Sequence, residues 1–127
     1  MALIAAIISL ILLEYFVFTM LVGMARGKSG IQPPMMTGDP TLERAIRVQM
    51  NTLEQIVVVI PALWLFGTYI SPTIGAGLGL VFIIGRALYG KAYMGDPKKR
   101  GTGFAIGFIA TIGLLGGSIY GTVMAAL

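Results

Sequence analysis

Cysteine and histidine are both absent from this 127-residue chain. No disulfide can form, no protein thiol can act as a nucleophile, and no imidazole is available as base or ligand. A zinc or haem site would need ligands that the chain does not have, so no metal site is expected. A strong nucleophile must therefore come from a substrate or from one of a few hydroxyls. Charge is scarce too: charged residues make up 11% and hydrophobic residues 57%, whereas a soluble domain carries about 25% charged residues. The mean hydropathy is +0.90. This is the composition of an integral membrane protein, and the length leaves room for one compact domain. The net charge of +4 sits beside apolar spans, where topology and anion binding explain it. Nucleic acid is not an expected partner.

Four apolar segments are present, each near the ~20 residues needed to span a bilayer. Together they predict an all-α, four-helix bundle. The first covers residues 2–25, with Glu14 as its only charged residue. It lacks a basic leading stretch and is too long for a cleaved signal, so it reads as a retained helix. The second covers residues 40–69, opened by Asp39 as N-cap and Pro40 at the first helical position. Pro61 lies inside it and is expected to kink it, freeing a backbone carbonyl. The third covers residues 72–93, and the fourth, residues 101–127, carries no charge. All nine lysines and arginines fall between Arg26 and Arg47 or between Arg86 and Arg100. The positive-inside rule then puts the first and third connections in the cytoplasm and both termini outside. In a bacterium this would be the inner membrane. Gly75-x-x-x-Gly79, Gly103-x-x-x-Gly107 and Gly113-x-x-x-Gly117-x-x-x-Gly121 predict close helix packing, within a subunit or between subunits.

A polar stripe interrupts the second segment: Arg47-x-x-x-Asn51-x-x-Glu54. Steps of four and three place these residues on one helical face, and the helix then continues into Ile56-Val57-Val58-Val59-Ile60. Ionisable groups at such depth cost roughly 2.5 kcal/mol or more unless paired or facing a cavity. The stripe is either a binding site or a structural Arg–Glu pair that locks helix packing. A second stripe, Arg86, Tyr89 and Tyr93, recurs on the third segment at the same depth, with Arg26 and Arg100 at the ends of the basic connections. Arginines suit carboxylates, a glutamate suits an amine, and an amide and phenols suit peptide groups. A small zwitterionic peptide with more than one carboxylate would satisfy the set. Interfacial anchoring is the alternative for Lys91 and Tyr93.

The run Glu43-Arg44-Ala-Ile-Arg47-Val-Gln49-Met-Asn51-Thr-Leu-Glu54 resembles the signature of the membrane-associated proteins in eicosanoid and glutathione metabolism (MAPEG). The resemblance is closest to the branch holding leukotriene C synthase and the microsomal glutathione transferases. It includes Pro33-Pro34, the Thr37-Gly38-x-Pro40 entry to the second segment, Arg86-x-x-Tyr89-x-x-x-Tyr93, and the distance from Tyr93 to Arg100. It implies a four-helix subunit in a homotrimer, with glutathione as co-substrate bound between subunits near the cytoplasmic face. By position, Arg26, Arg47, Gln49, Asn51, Glu54, Arg86, Tyr89 and Tyr93 match glutathione contacts of that family. Gln49, roughly opposite the main stripe, would suit a neighbouring subunit's site. Arg100 matches the arginine held to stabilise the glutathione thiolate, and a nearby guanidinium does lower a thiol pKa from ~8.5 toward neutrality. Gln55 departs from the tyrosine that leukotriene-type members carry after the glutamate.

The expected function is a glutathione transferase, with glutathione-dependent peroxidase activity as a companion, acting on a lipophilic electrophile delivered from membrane lipid. A non-catalytic lipid-binding scaffold of the same fold is the second reading. A small transporter or channel subunit, for which Glu14 would be the clue, is the third.

Overall fold

The computed structural model describes residues 1–127. Four helices account for almost all of them: α1 (Ala2–Ser29), α2 (Pro40–Tyr69), α3 (Pro72–Gly95) and α4 (Gly101–Ala126), with a short 3-10 turn at Pro97–Lys99 before α4. All four are long and apolar enough to cross a membrane.

The helix boundaries follow from capping chemistry. Asp39 accepts a hydrogen bond from the Leu42 amide at 2.9 Å and Pro40 opens α2. Ser71 caps α3 in the same way, accepting from the Ile74 amide at 3.2 Å ahead of Pro72. Both arrangements satisfy amides that the first turn leaves without partners. At its far end α1 runs past residue 25, through Arg26 and Lys28, to Ser29. The stop is Gly30, whose φ of 73° lets its amide close back on the Arg26 carbonyl. Arg26 is therefore a helical residue and not the first residue of a loop. Likewise α3 continues beyond residue 93 to Gly95 before Asp96 turns the chain. α2 persists through Pro61 to Tyr69. Beside the proline, the Ala62 carbonyl accepts from the Ser118 hydroxyl of α4 at 2.6 Å.

The core is a stack of aliphatic layers. Ile4, Ile7 and Ile11 of α1 meet Val59 and Leu63 of α2, Phe82 of α3, and Ala110 and Leu114 of α4. The glycine faces are used inside the subunit. α3 and α4 touch backbone to backbone: a Cβ on Gly85 would lie 2.6 Å from the Gly107 amide, and one on Gly103 would enter the Tyr89 backbone. Gly117 and Gly121 accommodate Phe66 and Ile70 from the end of α2. This intimacy pins the first turn of α4 against the polar end of α3. Outward, a broad belt remains apolar, including Leu10, Leu13, Phe16, Ile84, Phe108, Ile109 and Ile112. That belt suits lipid in place of water.

Candidate binding and active site

At the basic end of the bundle lies a polar cavity of about 570 Å³, within the ~300–1,000 Å³ range of small-molecule sites. Asn51, Glu54 and Gln55 line it from α2, Arg86 and Tyr89 from α3, Lys98 from the 3-10 turn, Arg100 from the junction with α4, and Gly101 and Phe104 from α4.

Its wall is organised around Arg86, which is only 2% exposed. Nη2 of Arg86 donates to the Thr52 hydroxyl at 2.7 Å. That hydroxyl spends its own proton on the Val48 carbonyl, also at 2.7 Å, so its lone pair faces the guanidinium. The guanidinium carbon sits 4.0 Å from the centre of the Tyr89 ring, a cation–π contact that desolvation strengthens. The Tyr89 hydroxyl accepts from the Asn51 amide at 2.6 Å, which leaves its own proton free to donate. Tyr93 packs against Tyr89 with ring centres 5.6 Å apart. Arg100 lies 6.0 Å from the Tyr93 ring and is anchored by Nη1 donating to the Pro97 carbonyl at 2.6 Å. A continuous path of stacked and bonded groups thus leads from Arg86 to Arg100.

Of the residues expected from sequence, Asn51, Glu54, Arg86, Tyr89 and Arg100 meet in this cavity. Tyr93 stands behind it as a packing partner of Tyr89. Three others lie outside the cavity as one subunit forms it. Arg26 donates to the Met35 and Ile31 carbonyls at 2.7 and 3.4 Å and so ties down the first connection. Gln49 turns to α1 and donates to the Thr19 hydroxyl at 3.0 Å. Arg47 is exposed on the outer face of α2. A further arginine, Arg44, closes the end of α3 by donating to the Met94 and Gly95 carbonyls, both at 3.2 Å. These are carbonyls that a helix end leaves unpaired.

Sequence reasoning missed Thr52, the hydroxyl that fixes Arg86. Its signal is weak, one hydroxyl among the more conspicuous polar residues Gln49, Asn51, Glu54 and Gln55 of the same run. Gln55 and Lys98 add an amide and an ammonium to the lining. Phe104 and Gly101 arrive only because the 3-10 turn folds α4 back over the cavity, which no residue pattern announces.

The MAPEG family model matches residues 4–120. An uncharacterised protein of Synechocystis is 44% identical over 115 residues, covering 91% of this chain and 84% of its own length. Microsomal glutathione S-transferase 2 of Homo sapiens is 40% identical over 116 residues, covering 90% of this chain and 79% of its own. Leukotriene C4 synthase of Bos taurus is 31% identical over 99 residues, 78% of this chain and 66% of its own. On the match across nearly its whole length, the chain belongs to the MAPEG family and is an integral membrane protein.

Proposed function

We propose that this protein is a membrane-bound glutathione transferase that conjugates glutathione to a lipophilic electrophile drawn from the bilayer. The observation that carries the reading is the cavity itself. It gathers a carboxylate, two guanidiniums, a phenol with a free proton and two amides at the end of an otherwise apolar bundle. Glutathione offers complementary groups: two carboxylates for Arg86 and the neighbouring cations, an amine for Glu54, and peptide groups for Asn51 and Tyr89.

With no cysteine or histidine in the chain, activation of the bound thiol is electrostatic. Arg100 stabilises the thiolate, and the thiol proton passes to water. The sulfur then attacks the electrophilic carbon with its lone pair, a carbon–sulfur bond forms, and the leaving group departs with its bonding pair. Proximity and thiolate stabilisation supply the rate. An apolar groove of about 320 Å³, lined in part by Val57, Val58, Pro61 and Leu115, runs between α2 and α4 on the Glu54 side and suits the acceptor.

The functional unit is a homotrimer, the assembly that the family resemblance implies, and the outer face of α2 supports a partner copy there. Arg47 and Glu54 are exposed there beside Met50, Val57, Val58 and Pro61. Charges on a face otherwise suited to lipid call for a covering partner. The charge distribution supports a cytoplasmic basic end with both termini outside; a reporter fused after Leu127 that is active only in the cytoplasm would overturn that orientation. The test of function is conjugation of glutathione to an aryl-halide electrophile by the purified protein in detergent, one product per glutathione consumed. Binding of glutathione without turnover would instead establish a scaffold.

A further inference from the structure

The candidate site uses only one side of the turn that leads into α4. On the other side a second cavity of about 520 Å³ opens between α3 and α4, lined by Leu88, Lys91, Asp96, Lys99, Thr102 and Gly103 among others. The 3-10 turn thus sends Lys98 to one cavity and Lys99 to the other. No residue of α2 lines the second cavity, so it lies apart from the α2 face that a partner copy would cover.

Its chemistry is that of an anion site at a lipid surface. Ile84, Leu88, Lys91 and Gly95 are spaced at helical steps and share one face of α3. Ile84 and Leu88 are exposed and apolar, so that face is one that lipid covers. Lys91 is exposed about one turn before α3 ends at Gly95, and its long stem lets the ammonium rise to headgroup level. Lys99 joins it from the turn. Neither ammonium is spent on the subunit, whereas the guanidiniums of Arg44 and Arg100 hold backbone carbonyls. Asp96 is the one carboxylate in the lining, and its Oδ1 accepts from the Lys98 amide at 3.1 Å. Thr102 adds a hydroxyl, and α4 begins without a side-chain cap, so its first-turn amides also favour an anion. On its other flank Lys91 borders a groove of about 230 Å³, lined by Phe18, Leu21, Val48 and Met94, in which it is the only charged member. Snorkelling alone would explain Lys91. It does not explain a second cation, a hydroxyl and an uncapped helix start gathered around one cavity.

We propose that the two together form a binding site for an anionic phospholipid, with the phosphate held between Lys91 and Lys99 and one acyl chain in the groove between α1 and α3. Charge complementarity selects the occupant. Two unpaired lysines at a membrane surface attract a lipid of net negative charge. A zwitterionic lipid would bring its own ammonium beside them. A soluble phosphate would meet the lysines but leave the apolar groove unused, and so gain nothing from the burial that a chain supplies.

The test is native mass spectrometry of the purified protein in detergent, titrated with phosphatidylglycerol or with phosphatidylcholine of the same acyl chains. Melting temperatures are read in parallel. Phosphatidylglycerol should bind the more tightly and raise the melting temperature, as any ligand of the folded state does. Lys91→Gln and Lys99→Gln should each weaken it about fivefold, and the double variant about thirtyfold. Lys28→Gln removes an exposed charge from the same end but outside both cavities, and should leave the affinity unchanged. Leu21→Trp, which crowds the groove while keeping both lysines, should weaken phosphatidylglycerol as well. Inorganic phosphate at millimolar concentration should not displace the lipid. Equal affinity for the two lipids overturns the proposal. An equal loss in Lys28→Gln also overturns it, since the attraction would then be diffuse. Displacement by inorganic phosphate would make this a free-phosphate site, and an unchanged affinity in Leu21→Trp would remove the chain from the groove; either result sinks the assignment. The single lysine variants decide the matter if the double one proves unstable.

Discussion

Removing the Arg100 guanidinium is the most direct probe of the proposed chemistry. Arg100 is exposed, but it is not loose: it is bonded to the Pro97 carbonyl and set near the Tyr93 ring, so its charge stays at the cavity mouth. A unit charge about 4 Å from a developing thiolate is worth roughly 1 kcal/mol in water and roughly 4 kcal/mol at an effective dielectric of about 20. Exposure puts Arg100 in the lower half of that span, near 2 kcal/mol, and at about 1.4 kcal/mol per unit this is one to two units of thiol pKa. The sign is fixed. The cation favours the charged thiolate, so Arg100→Ala should raise the apparent pKa of bound glutathione from near neutrality toward the free value of ~8.5. Turnover at pH 7 should fall about tenfold or more, and the loss should vanish above the raised pKa. The measurement is ultraviolet absorbance of the enzyme-bound thiolate titrated against pH, paired with the pH profile of kcat. Lys98 also lines the cavity and is the necessary control. An unchanged thiol pKa in Arg100→Ala with a raised one in Lys98→Ala assigns the role to the lysine. If neither moves it, the protein binds glutathione without activating it.

Glu54→Ala should weaken glutathione binding by about 1.5–3 kcal/mol, the range for a hydrogen bond to a charged group, while a glutathione analogue lacking the free amine should bind parent and variant alike; equal losses for both ligands would remove Glu54 from amine recognition. Gly103→Ala forces a methyl into the Tyr89 backbone and should cost about 1–3 kcal/mol by overpacking, lowering the melting temperature. Gly23→Ala, with nothing within 4 Å of the new methyl, should be neutral or slightly stabilising, as alanine is the better helix former. Equal melting temperatures for the two glycine variants would refute the tight α3–α4 contact. Native mass spectrometry should show three copies, and a fully active monomer would refute the shared site.

The helices were legible because their signals are local. Hydropathy marks the spans, and Asp39-Pro40 and Ser71-Pro72 mark two starts. The end of α1 was misplaced because Arg26 and Lys28 look like loop residues, although cations are favoured in a last helical turn and Gly30 carries the true stop. The glycine repeats announced close packing but not its location, since spacing along one helix says nothing about which neighbour fills it; Phe66, Tyr89 and Ile70 do so from within the subunit. In the site, both stripes were visible as period-matched polar residues. What joins them was not. Asn51 meets Tyr89 and Arg86 meets Thr52 across 38 and 34 residues of chain. A pairing of that range depends on helix register, which a single sequence does not encode as a pattern.

The division of the polar residues has a physical cause. On α2, Thr52 faces inward and fixes Arg86, Asn51 sits at the edge and reaches Tyr89, and Arg47 and Glu54 turn outward. One subunit therefore completes the α3 wall of the cavity but leaves its α2 side partly open, with Arg47 beyond the rim. An Arg–Glu pair whose task was to lock this bundle would be buried among its helices, whereas both side chains are exposed. The same helix face continues into Val57, Val58 and Pro61, which are exposed and apolar. Lipid satisfies the apolar half of that face but not the charged half. A second copy bringing its own helices against α2 would cover both halves, close the cavity, and bring Arg47 within reach of a ligand that Arg86 and Tyr89 already hold from the other side.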